Sequence, residues 1–172
     1  MRKGSFGKEL RMRVSFDLDE VIFVSPKDHK TEPPLRFPFN RIFRERVRLG
    51  APALVKELRS QGYEVWVYTS SYRSTRYIRR LFRLYGMRLD GIVNAQRHNR
   101  EVQGNRTEPM PTKMPSHYRI SLHIDDESVF AAYGKEYGFD VFPLKAQDDD
   151  WAEKVIVRAR QVRERQKLTL KM

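Results

Sequence analysis

The 172-residue chain has no cysteine. Disulfides, thiolate metal sites and cysteine nucleophiles are therefore excluded. Histidine is scarce too: His29, His98, His117 and His123 are scattered and show no metal-ligand spacing. No apolar run approaches the length needed to cross a bilayer, and none follows the basic segment 1–13 as a secretory leader would require. The expectation is a soluble, cytoplasmic protein with no membrane partner. Composition carries no signal for an oligomeric state.

Acid is in deficit. Against 34 Lys and Arg stand 22 Asp and Glu, a formal net charge of +12. Such a surface raises the local concentration of phosphorylated or polyanionic partners, nucleic acid among them, although a plain basic surface that keeps a protein soluble has the same composition. The 40% hydrophobic and 12% aromatic content is that of a folded chain, long enough for one compact domain over residues 1–172.

Strand-like and helix-like segments alternate. Residues 11–19 (RMRVSFDLD) form a β-prone run that ends in two carboxylates. Four prolines, Pro26, Pro33, Pro34 and Pro38, then impose a loop or flap over residues 25–39. Val47, Ala51, Leu54, Val55 and Leu58 recur at helical spacing up to Gly62, with Pro52 suited to the first turn. Residues 64–68 (EVWVY) predict a strand closed by Thr69, Ser70 and Ser71. A helix burying Ile78, Leu81, Phe82 and Tyr85 follows, stopped by Gly86.

Residues 91–95 predict a short strand, and the polar stretch 96–114 reads as a loop. Residues 119–124 (RISLHI) predict a strand ending in Asp125 and Asp126. A helix over 127–137, a strand over 140–143 and a last helix over 149–166 complete the chain. Its acids come first and its Arg and Lys last, as the helix dipole favours. This alternation implies right-handed β-α-β units. The expected fold is α/β: a single-domain, Rossmann-like three-layer sandwich with a mostly parallel five-stranded sheet.

In such sheets ligands bind at the carboxyl ends of the strands. Three of the predicted strands end there in Asp17-Leu18-Asp19, Thr69-Ser70 and Asp125-Asp126. Each set alone reads as well as a turn, a helix cap or a surface pair. Together, four aspartates converging without cysteine or histidine nearby call for a hard, oxygen-loving cation, Mg²⁺ by default.

At these residues the chain resembles the haloacid dehalogenase superfamily, whose signature is a hydrophobic strand followed by Asp-x-Asp-x-Thr/Val. Here that signature stands as Val14-Ser15-Phe16-Asp17-Leu18-Asp19-Glu20-Val21. A strand ending in Thr69-Ser70, then Lys113, then Leu122-His123-Ile124-Asp125-Asp126 supply the other three motifs in order. The resemblance spans residues 11–145 and implies a phosphatase. Asp17 would be the nucleophile and Asp19 the acid and base. Thr69, Ser70 and Lys113 would bind phosphate, and Ser70 and Ser71 N–H groups opening a helix would add an anion site. Mg²⁺ would be held by Asp17, the Asp19 carbonyl and Asp125, with Asp126 either a ligand through water or a group that orients the ligands.

Asp19 argues against carbon–halogen cleavage, which needs no acid for the leaving group. Glu20 departs from the glycine commonest at its position in the family. Relatives carry a cap domain at one of two insertion points, but residues 25–43 and 96–114 lack the apolar periodicity for one, so the site is expected to be capless. Phe37, Phe39 and Phe43 are candidates for its mouth, or for core. Arg73, Arg76, Arg79, Arg80 and Arg83 form a basic helix face. Substrates consistent with this are a nucleotide, a small phosphate ester or a nucleic-acid end. The alternative is an inactive relative that binds phosphate or nucleic acid without turnover.

Overall fold

The computed structural model describes residues 11–145 and 147–169. Five strands, β1 (Arg13–Phe16), β2 (Glu64–Tyr68), β3 (Gly91–Val93), β4 (Ile120–Asp125) and β5 (Asp140–Pro143), form one sheet in the order β3-β2-β1-β4-β5. Every neighbouring pair is parallel, as expected for strands joined by crossovers. The chain steps from β1 outward to β3, then returns past β1 to β4. The strand order therefore switches between β1 and β4, and in open sheets of this kind ligands bind beyond the strand ends at such a switch.

Helices α2 (Ala51–Ser60), α3 (Thr75–Leu84) and α6 (Trp151–Thr169) bury their apolar stripes on one face of the sheet. Leu54, Val55 and Leu58, then Ile78, Leu81 and Phe82, then Val155, Ala159 and Val162 meet Val14, Phe16, Val65, Val67, Leu122 and Ile124. Pro52 lies in the first turn of α2, and the Ser74 hydroxyl caps α3 by accepting from the Tyr77 N–H. The opposite face is covered by α5 (Val129–Tyr137) and by Val102, Met114 and Tyr118 from the chain between β3 and β4.

That connection is more ordered than its polarity suggested. The Asn94 side chain accepts from the Arg97 N–H and starts α4 (Ala95–His98), which runs on as a wider helical turn through Gln103. Buried Val102 anchors the turn, so tertiary packing supplies what local sequence did not. Residues 25–43 hold only one helical turn, α1 (Phe39–Ile42), and no second sheet or cap domain is present among the described residues. Phe43 is core, stacked 4.9 Å from Tyr77, while Phe37 is 70% exposed and Phe39 is also exposed. No described helix is long and apolar enough to cross a membrane.

Gly91 faces Trp66 across the β2–β3 pair, where an added Cβ would lie 2.2 Å from the indole ring. Only glycine fits beneath that ring.

Candidate active site

β1 delivers Asp17 to the switch point, where its N–H donates to the Ile124 carbonyl (2.9 Å). β4 delivers Asp125 beside it, and the loop before β4 delivers Lys113. All three are buried: Asp17 is 6%, Lys113 1% and Asp125 0% exposed. Lys113 Nζ donates to Asp125 Oδ2 (2.6 Å) and lies 2.8 Å from Asp17 Oδ2. Carboxylate oxygens of Asp17, Asp125 and the more exposed Asp126 lie within 4.8 Å of one another.

One ammonium therefore faces three carboxyl groups. Burial alone would lower the pKa of Lys113, but the charges of Asp17 and Asp125 outweigh it and raise the net value. Burial would raise Asp125, yet the hydrogen bond from His123, with the hydrogen bond and charge of Lys113, leaves it lowered. Asp126 is raised, first by burial and then by the neighbouring charges of Asp125 and Asp17. A surplus of negative charge remains. It is accompanied by an orphan: Asp17 Oδ1 is buried and has no hydrogen-bond partner among the described residues. A buried acceptor left unpaired costs about 1–3 kcal/mol unless a ligand satisfies it. The donor set is entirely oxygen, which suits a small hard dication.

Asp19 is placed differently. Its side chain is exposed, and its Oδ2 accepts from Arg73 Nη1 (2.9 Å). Arg73 is itself held by Glu45 through Nε (3.2 Å), and Glu45 also accepts from the Tyr77 hydroxyl. The first arginine of the basic face is thus turned toward the site, while Arg76, Arg80 and Arg83 are exposed on α3. Thr69 is buried at the end of β2, where its Oγ1 accepts from the Ser71 N–H (3.1 Å), and Ser70 is exposed. The expected helix opening at Ser70 and Ser71 needs correction. α3 begins at Thr75, because Ser74 is its cap and the Ser71 N–H is already committed to Thr69.

Glu20 adopts a left-handed backbone (φ 58°), the conformation in which glycine is unstrained. The turn that glycine would make is therefore kept by a residue with a side chain. Buried Arg48 holds it, donating to the carbonyls of Glu20 (2.7 Å) and Val21 (2.9 Å).

Several supporting residues escaped sequence reasoning. The Tyr68 hydroxyl, fully buried, accepts from the Met114 N–H (2.8 Å) and lies 2.6 Å from His98 Nδ1. Burial lowers the pKa of His98 and raises that of Tyr68, so the phenol stays protonated and donates to the ring. This clamp pins the residue next to Lys113. On β4, His123 Nε2 reaches Asp125 Oδ2 (2.9 Å), and its Nδ1 reaches Ser15 Oγ (2.8 Å). Period-two alternation is the signal that finds them. Ser15 and Asp17 share one sheet face, as do His123 and Asp125.

No protein-family model matches the chain, and no curated protein matches it. Similar backbones are found among solved structures. A HAD-superfamily hydrolase of subfamily IA, variant 1, from Geobacter sulfurreducens is 15% identical, with 78% of this chain and 92% of that one covered at a TM-score of 0.48. A predicted HAD-like family hydrolase from Porphyromonas gingivalis is 11% identical, with 87% and 97% covered at 0.47. The cobalt-bound deoxy-D-mannose-octulosonate 8-phosphate phosphatase from Haemophilus influenzae is 15% identical, with 77% of each chain covered at 0.37. Likeness of this degree says nothing about activity, which has to come from the side chains described above. Within this chain, Asp17 and Thr69 follow β1 and β2 directly and Asp125 closes β4, so these three stand at the carboxyl end of one parallel sheet. Lys113, from the connection before β4, reaches the same end through its contacts with Asp17 and Asp125.

Proposed function

We propose that the protein is a Mg²⁺-dependent phosphomonoesterase with Asp17 as its nucleophile. The observation that carries this reading is the buried, unpartnered Oδ1 of Asp17 inside a cluster whose negative charge exceeds its positive charge. An oxygen left bare in that setting is oriented for a cation or an electrophile rather than for stability.

The Asp17 carboxylate attacks phosphorus and breaks its bond to the leaving oxygen, which takes a proton from Asp19. Asp19 then removes a proton from water, the water oxygen attacks phosphorus, and the Asp17–phosphate bond breaks to release phosphate. Arg73 pairs with the ionised form of Asp19, the form that removes the proton from water. Lys113 fixes the Asp17 carboxylate and offers its positive charge to the transferring phosphoryl oxygens, with the Thr69 hydroxyl and Ser70 assigned to the same group. Asp17, Asp125 and the Asp19 carbonyl would hold Mg²⁺, with Asp126 beside them. When bound, the ion supplies charge neutralisation between an anionic nucleophile and an anionic substrate.

Nucleotides, small phosphate esters and nucleic-acid ends all fit a capless site under a net charge of +12. Salt separates them: turnover of a nucleic-acid end falls steeply with ionic strength if the basic α3 face contributes. The primary test is hydrolysis of an aryl phosphate with and without Mg²⁺, for wild type and Asp17→Asn. Metal-dependent phosphate release, reduced about a thousandfold or more in the variant, is expected. No turnover on that ester, nor across nucleotides, sugar phosphates and nucleic-acid ends, would move the reading to a module that binds phosphate without reaction.

A further inference from the structure

Asp125 has a partner that no phosphate chemistry requires. We propose that His123, held by Ser15, is a positioning residue that fixes the Asp125 carboxylate, so that one oxygen serves Lys113 and the other is left to the cation. The assignment rests on the metal site proposed above.

Ser15 and His123 are register partners on β1 and β4, so their side chains leave the sheet side by side. Alternation then places Asp17 and Asp125 one step nearer the strand ends on the same face. Both Ser15 and His123 are fully buried. The imidazole spans the gap from Ser15 Oγ (2.8 Å at Nδ1) to Asp125 Oδ2 (2.9 Å at Nε2). Phe130 packs edge-on against the ring at 6.3 Å and Tyr68 tilts against it at 6.1 Å, which removes its freedom to turn.

The hydrogen bonds settle where the ring proton sits. Asp125 Oδ2 is a carboxylate acceptor, so Nε2 must carry the hydrogen. Among the described residues the Ser15 hydroxyl has only Nδ1 as a partner, so a hydrogen on Nδ1 would leave the hydroxyl hydrogen buried and unpaired. The Nε2–H tautomer satisfies every group, with the Ser15 hydroxyl donating to Nδ1.

The consequence falls on Asp125. A carboxylate offers about four acceptor positions in all. Oδ2 receives both Lys113 Nζ (2.6 Å) and His123 Nε2, which fills it. Oδ1 receives the Glu127 N–H (2.9 Å) and keeps one position. Lys113 and a cation therefore do not compete for one oxygen. Without His123 the carboxylate is held by Lys113 and the Glu127 N–H alone, and Oδ2 regains a position at which a cation would meet the Lys113 ammonium.

The test measures Mn²⁺ binding by electron paramagnetic resonance, with no turnover involved, for wild type, His123→Gln, His123→Leu and Ser15→Ala. His123→Leu should bind about 10–100-fold more weakly. His123→Gln, which still presents an N–H near the Nε2 position, should recover most of that loss. The ¹⁵N spectrum of the metal-free wild type should show the His123 hydrogen on Nε2. Ser15→Ala, which frees Nδ1 while Asp125 still holds Nε2, should keep the hydrogen there but bind Mn²⁺ several-fold more weakly through a looser ring. Should His123→Leu fail to fold, the Ser15→Ala affinity and the spectra carry the test. Wild type that binds Mn²⁺ while a folded His123→Leu binds it within twofold would overturn this assignment alone, as would a hydrogen on Nδ1 in wild type. Wild type that binds no Mn²⁺ would overturn the proposed metal site and this assignment together.

Discussion

The two faces of the sheet are built from the same three central strands and share nothing else. On one face β1, β2 and β4 present Val14, Phe16, Val65, Val67, Leu122 and Ile124, buried under α2, α3 and α6. On the other they present Ser15, Trp66, Tyr68 and His123, and at the strand ends Asp17 and Asp125. The first face is non-directional: apolar area leaves water and any well-packed aliphatic set would serve. The second is directional. Ser15, His123, Asp125, Lys113 and Asp17 form a chain in which each polar atom depends on its neighbour, and one atom at its end is left bare. The first face serves packing alone, whereas the second, packed under α5, also carries the chemistry, one residue out of step.

This contrast can be broken at its charged end first. Lys113→Met leaves Asp17 and Asp125 buried without their cation and should cost about 3–5 kcal/mol by chemical denaturation. Added Mg²⁺ should restore much of that loss, and should stabilise the variant more than wild type. If Mg²⁺ does nothing for the variant, the cluster is not a metal site.

On the apolar face, Leu58→Ala should cost about 2–5 kcal/mol through lost burial and a cavity. It should show no extra relief from Mg²⁺, and phosphate release per folded molecule should stay within twofold of wild type. A large loss of turnover in the folded protein would mean that the faces are coupled.

The smallest effect sharpens the division inside the polar face. Tyr68→Phe keeps the ring and removes the clamp on Met114 and His98, which should cost about 1–2 kcal/mol. Loosening Lys113 should lower kcat about tenfold, with KM for an aryl phosphate changing less. An unchanged kcat would show that Lys113 is placed without the clamp.

Much of this was legible in advance because it is local. β2 and β5 fall on the segments read from alternation and apolar runs, and the spacing of Ile78, Leu81 and Phe82 marked the buried stripe of α3. Asp17, Lys113 and Asp125 were named from their motifs and do meet. Sequence alone opens α3 too early, since Thr69 and Ser74 compete for the same cap signal and only the committed Ser71 N–H separates them. The stretch 96–114 looked like plain loop because a single buried valine, Val102, anchors its helical turn.

By itself the sequence determined the five strands and the four longer helices in order, the apolar face and three of the clustered acids, Asp17, Asp125 and Asp126, since these follow from side-chain period and residue type within a short window. Tertiary structure alone decided which groups pair. It set Ser15 beside His123 across 108 positions of chain and turned Arg73 onto Asp19 across 54. It also brought Lys113 between two carboxylates and left one oxygen of Asp17 without a partner. The physical reason is that hydrogen bonds and ion pairs depend on distances of a few tenths of an ångström, which strand register and burial impose and linear spacing does not encode.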